Sequence, residues 1–180
     1  MKKAGWLLFT VLLSILSCKK VVDELPAPSQ NGSNIFGCSI DSNLWVPARF
    51  GIIPSAPILE ARGGGNHSIF INARNFSTSP TETEFEIHLK DFKGTGTYLL
   101  NENTAKYPSQ TASYGYYVRR NMTPENEWIT NSQYTGHVEV TAYDSAKKIV
   151  AGTFEFYAIN LYNDPKPLHV TDGRFDVTLQ

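Results

Sequence analysis

Two cysteines and four histidines are the side chains in this 180-residue sequence best suited to metal binding or nucleophilic attack. Their spacing supports neither. His67, His88, His137 and His169 never fall two or four residues apart, and none has a carboxylate at ligand spacing beside it. His88, His137 and His169 sit on the polar side of alternating stretches, and His67 follows a glycine run, so solvated histidines are expected. Cys38 shares a side with Phe36 and Ile40 in FGCSI. That predicts a small buried apolar residue with no local base to activate it. Gly94-Thr95-Gly96-Thr97 leads into TYLL rather than a helix, so it lacks the N–H groups with which a phosphate loop works. No G-x-S-x-G elbow occurs. DSNLWVP and TDGRFD lack the repeated oxygen ligands of a calcium loop, and no local pattern pairs two carboxylates for glycoside hydrolysis. The sequence thus assigns no catalytic residue, no metal ligand and no cofactor.

Aromatic side chains offer a different chemistry. In ASYGYYVRR, Tyr114, Tyr116 and Val118 share one side, and Tyr117 and Arg119 the other. With the first set in the core, Tyr117 and Arg119 point outward, and Trp128 follows in the polar stretch PENEWITNSQ. Flat apolar rings with polar tips stack on sugars or anchor a partner protein. Tyr117, Arg119 and Trp128 are therefore candidate ligand contacts. Nucleic acid is set aside as a partner, because the formal net charge is −1 and Arg119-Arg120 is the only arginine pair.

The elements that must hold these residues begin with a leader. Met1-Lys2-Lys3 is basic, and Ala4 to Ser17 carries no charge. This apolar stretch is shorter than the about 20 residues of a spanning helix and has the build of a secretory signal peptide, expected as a helix over residues 1–17. Ile15-Leu16-Ser17-Cys18 resembles the bacterial lipobox. The resemblance implies acylation of the Cys18 thiol and cleavage before it. Several acyl chains anchor stably because each buried CH₂ contributes about 0.8 kcal/mol. With Cys18 lipidated, Cys38 has no partner in its own chain, which excludes an internal disulfide framework. Lys19 to Asn34, KKVVDELPAPSQNGSN, has no hydrophobic periodicity and reads, with Cys18, as a flexible tether over 18–34. Fully stretched it reaches about 50 Å. Asp23-Glu24 partly resembles the acidic cluster that directs some Bacteroidota lipoproteins to the cell surface.

From residue 35 to 180 the pattern alternates. Phe85, Ile87 and Leu89 oppose Glu86 and His88. Val138 and Val140 oppose His137 and Glu139. Phe154, Phe156 and Ala158 oppose Thr153, Glu155 and Tyr157. Phe175 and Val177 oppose Arg174 and Asp176. GGGN, YDSAKK, YNDPKP and TDG punctuate the runs as turns. About nine or ten antiparallel strands result, as a sandwich or partly closed barrel in one domain.

Several motifs together are similar to a family of small Bacteroidota lipoproteins classed as a domain of unknown function. They are Gly136, Val138, Val140, Thr141 and Asp144, then Gly152, Thr153, Phe154, Phe156 and Ala158, then Gly173, Phe175, Asp176 and Val177. The resemblance implies an all-β lipoprotein and no particular substrate, and the expected location is the outer membrane, on either its periplasmic or its surface-exposed face. Asp144-Ser145-Ala146 also matches a short O-glycosylation pattern described for Bacteroidota, which makes Ser145 a candidate acceptor at a hairpin tip. The expected function is a membrane-anchored, non-catalytic binding module whose partner is a glycan, an envelope protein or a small molecule. An envelope structural or assembly factor is the alternative, and a hydrolytic enzyme comes third.

Overall fold

Val, Ile, Phe and Tyr at every second position favour half-buried strands, and the computed structural model is all-β. It describes residues 24–49, 56–77, 81–105, 111–120, 126–162 and 165–180. The expected signal helix and Cys18 lie outside the described residues. Within them are β1 (Ile35–Ile40), β2 (Asn43–Trp45), β3 (Leu59–Gly63), β4 (Ile69–Asn75), β5 (Glu82–Leu89) and β6 (Gly96–Leu100). They are followed by β7 (Tyr114–Arg120), β8 (Glu127–Ile129), β9 (Gly136–Asp144), β10 (Ile149–Asn160) and β11 (Leu168–Thr178).

Nine of these strands form one strongly curled antiparallel sheet, in the order β2-β1-β11-β10-β8-β7-β5-β4-β3, which makes a half-barrel. The twelve-residue β10 is shared by two walls. Its first part, Ile149 to Phe156, pairs with β9, and β9 in turn carries β6. Its end, Ile159 and Asn160, pairs with β8. We call β2-β1-β11-β10-β9-β6 the front wall and β10-β8-β7-β5-β4-β3 the back wall. The far ends of the curled sheet meet again. Ala61 of β3 bridges Leu179, and Ala48 bridges Asn75 of β4.

The inner faces of both walls fill the space between them. Phe85 is the hub. Its ring lies 4.7 Å from Trp45, 4.8 Å from Tyr117, 5.8 Å from Phe36 and 6.2 Å from Phe156, so one β5 side chain joins β1, β2, β7 and β10. Cys38 is buried in the same core, and burial pushes its thiol pKa far up, which keeps it protonated and unreactive.

Two expectations need correction. Thr171–Gly173, read as a turn, lies inside β11. There the chain bulges between the pairs Phe154↔Gly173 and Phe156↔Val170, with Asp172 at φ 54°. A bulge absorbs the turn-forming residues without ending the strand. The span read as a flexible tether is docked on the front wall from Pro26 to Asn34, as described below.

Where the walls fork, β9 starts against β10 with no room for a side chain. A Cβ on Gly136 would collide with the Glu155 carbonyl and with Phe156. Gly63 has nothing within 4 Å of such a Cβ. Gly136→Ala is therefore expected to lower stability by about 1–3 kcal/mol, and Gly63→Ala by no more than about 0.5 kcal/mol. Urea unfolding of the two variants checks this; equal midpoints would contradict the close approach.

Candidate functional site

The outer face of the front wall is built by alternation. Arg174, Asp176 and Thr178 of β11, Thr153, Glu155 and Tyr157 of β10, and His137, Glu139 and Thr141 of β9 point away from the core. Across this face runs a strap, Pro26 to Asn34. Gly32 (φ 79°) and Asn34 (φ 52°) take left-handed conformations that turn the chain back on itself before β1.

The strap is held by one carboxylate. Asp176 Oδ2 accepts hydrogen bonds from the Ser29 hydroxyl (2.6 Å), the Asn31 N–H (3.0 Å) and the Ser33 N–H (3.0 Å). Oδ1 accepts one from the Gly32 N–H (2.8 Å). Successive backbone N–H groups around an anion form a nest, and each bond to a charged acceptor contributes about 1.5–3 kcal/mol. Asp176 is 0% exposed. Burial pushes its pKa up, but the four donors more than offset this and hold it below the ordinary aspartate value. Further bonds tie the strap at both sides. The Thr178 N–H donates to Asn34 Oδ1, Arg174 Nη1 donates to the Pro26 carbonyl (3.3 Å), and Gln30 Nε2 donates to Thr141 Oγ1 (3.1 Å).

Between strap and wall lies a groove of about 410 Å³, lined by Pro28, Gln30, Ile35, Thr141, Thr153 and Arg174 among others. Beyond it, Tyr157 and His169 stack with ring centroids 3.9 Å apart and planes 5° from parallel. Tyr157 is 47% exposed, and Leu99 on the edge strand β6 is 57% exposed.

The outer face of the back wall is different, because it is buried. Glu86 is 0% exposed and accepts from Asn72 Nδ2 (2.8 Å) and from the Tyr114 hydroxyl (2.5 Å). Glu84 pairs with Arg120 and Arg74. The Tyr116 hydroxyl donates to Glu127 (2.7 Å). His88, expected in solvent, is buried there, with its ring stacked on Phe70 at 4.2 Å. Burial lowers the His88 pKa and leaves the imidazole neutral at neutral pH. Its Nδ1 sits 2.6 Å from the Ala112 carbonyl, which requires the proton on Nδ1, and Nε2 has no partner.

A role for Tyr117 and Trp128 as ligand contacts requires that they be exposed. Both are buried, with their rings 5.8 Å apart in the main core. Arg119 alone of the three is exposed. The reason is that β7 is covered on both sides: Tyr114, Tyr116 and Val118 form a second buried cluster with Ile129 on its outer face. Alternation separates two faces but does not reveal that both are covered. Ser145 sits exposed at the tip of the β9–β10 hairpin, where Asp144 Oδ1 accepts from the Ala146 and Lys147 N–H groups. His137 and His169 lie on the outer front face and His67 in an exposed loop. No group of three His, Cys, Asp or Glu side chains among the described residues could hold a metal ion.

Arg174 and the strap residues Ser29 to Ser33 carry no sequence signal of a site, and Asp176 stands out only as one position of the G-x-F-D-V motif. The available sign was the cluster SQNGS itself. Small polar residues and glycine favour a linker, but they equally suit a backbone nest, and the acidic partner lies 143 to 147 residues away. Comparison of the chain with protein-family models, curated proteins and solved structures finds no match.

The Asp176 nest makes stability depend on pH with a definite sign. The folded-state pKa lies below that of an unfolded aspartate, about 3.9. The stabilisation is thus complete above that value and is lost as pH falls through the folded-state pKa. Asp176→Asn, which turns a donor toward the nest, is expected to cost about 2–4 kcal/mol at neutral pH and to flatten the acid limb. It also frees residues 26–34 to hydrogen exchange. Unchanged exchange in the strap would show that the carboxylate does not hold it.

Proposed function

We propose that this chain is an outer-membrane lipoprotein, anchored by acyl chains on Cys18, whose β domain is a non-catalytic binding module. The lipobox-like run Ile15 to Cys18 and the short apolar leader support the anchor. The observation that carries the binding role is the groove. The strap and the front wall border an open groove of about 410 Å³, within the usual size range of ligand sites, about 300–1,000 Å³. Among the described residues, the only charged side chain on its lining is Arg174. No carboxylate, histidine or cysteine lines it among the described residues, so it has the character of a recognition site rather than a hydrolytic one.

Docking of the strap also changes the geometry at the membrane. From Cys18 to Pro26 the chain spans about 25 Å at most, instead of the about 50 Å of a wholly free tether. An acylated Cys18 thus holds the front wall near the bilayer surface, within reach of headgroups, glycans and neighbouring envelope proteins. The assembly-factor reading keeps one observation in its favour: β6 is an edge strand with Leu99 exposed, a surface to which a partner strand can add.

Mass spectrometry of the protein purified from its native membranes is expected to find acyl chains on Cys18 as the first residue. Cys18→Ala is expected to move the protein to the soluble fraction and to lose the partners that cross-linking recovers from intact cells. An unmodified Cys18, or equal partner yields from both versions, overturns the reading.

A further inference from the structure

We propose that the groove beneath the strap binds a sugar acid, a hydroxylated ring carrying one carboxylate; this rests on the binding-module reading above and names its ligand class. Arg174 is the starting point. Its guanidinium is pinned from two sides by carbonyls, Nη1 on Pro26 (3.3 Å) and Nε on Asp172 (3.4 Å). Neither partner is charged, Nη2 makes no hydrogen bond, and no carboxylate forms an ion pair with this arginine among the described residues. In the back wall, by contrast, Arg74 of β4 and Arg120 of β7 are both paired to Glu84. Asp176, two residues further along β11, is engaged by neutral donors of the strap. A held guanidinium with an open edge is a carboxylate receptor.

The rest of the lining suits a hydroxylated body on that carboxylate. Thr153 faces Arg174 directly across the β10–β11 ladder, and its hydroxyl has no partner among the described residues. Gln30 spends its amide N–H on Thr141, which leaves its carbonyl oxygen to accept from a ring hydroxyl. Pro28 and Ile35 offer apolar surface to ring C–H groups. A neutral sugar leaves the arginine without its anion. A bare carboxylate leaves Thr153 and Gln30 unmatched. A phosphate dianion finds one cation where it calls for more.

The test uses the full protein, ¹⁵N-labelled and purified from membranes in mild detergent, titrated with glucuronate, glucose and acetate. Glucuronate is expected to shift the amides of Gln30, Thr141, Thr153 and Arg174 saturably, with glucose and acetate each about tenfold weaker or more. Arg174→Gln is expected to weaken glucuronate about tenfold or more, and Thr153→Val, which leaves the strap contacts untouched, about threefold to tenfold. Absence of a saturable shift with glucuronate up to about 10 mM, equal affinity for glucose, or unchanged binding by both variants overturns the proposal. The acyl chains on Cys18, read by mass spectrometry on the same preparation, report on the envelope reading independently. Loss of one result therefore leaves the other standing.

Discussion

A carboxylate on the outside of a β-wall, sealed from water and bonded to no cation, is the arrangement on which the front of this molecule depends. Asp176 is buried by the strap and stabilised by the strap's own N–H and hydroxyl groups. The two are mutually required. Without the four donors, a buried charge of this kind costs several kcal/mol. Without the charge, nine mostly small and polar residues, PAPSQNGSN, have too little apolar surface to stay on a sheet. Because neutral dipoles satisfy the anion, Arg174 two residues earlier on the same face is left uncompensated, and the strap that Asp176 holds becomes one wall of the groove into which Arg174 opens.

The two outer faces of the half-barrel use polar residues in opposite ways. On the front, His137, Glu139, Thr153, Glu155 and Tyr157 stay at least partly in solvent, and only the strap-covered strip is sealed. On the back, Glu84, Glu86, Asn72 and His88 are buried. The two carboxylates are met by side chains of adjacent strands, Asn72 and Tyr114 on Glu86, Arg74 and Arg120 on Glu84, and His88 by the Ala112 carbonyl. Desolvation offsets much of what such pairs gain. A one-residue slip of β4, β5 or β7 would leave these groups without their partners, so the network opposes alternative registers. The unpaired Nε2 of His88 is the one described side-chain atom that this network leaves unsatisfied.

Phe85 and β10 explain why the walls curl into a half-barrel instead of stacking as a sandwich. β10 belongs to both walls, so they cannot separate there, and Gly136 lets β9 leave at the fork with backbone against backbone. Rings from four strands close around Phe85. The bulge at Thr171–Gly173 adds local twist to β11 beside the fork.

Strand positions, the all-β class and the inward side of β5, β9, β10 and β11 were legible in the sequence, because side-chain alternation is a local property of an extended chain. The buried state of Cys38 followed for the same reason, and so did the exposed hairpin tip at Ser145. The burial of Tyr117, Trp128 and His88 was not legible, and for one reason. A period of two sorts residues into two sets but carries no information on what covers each set, and β5 and β7 are covered on both. The strap was equally out of reach. Its composition describes a free linker as well as it describes a nest, and the choice between them is made by a carboxylate that only folding brings within 3 Å. Local pattern thus determined the strands and their turns. Tertiary structure alone decided which faces close, which polar groups are sealed, and where a groove is left open, because those outcomes depend on contacts between residues far apart in the chain.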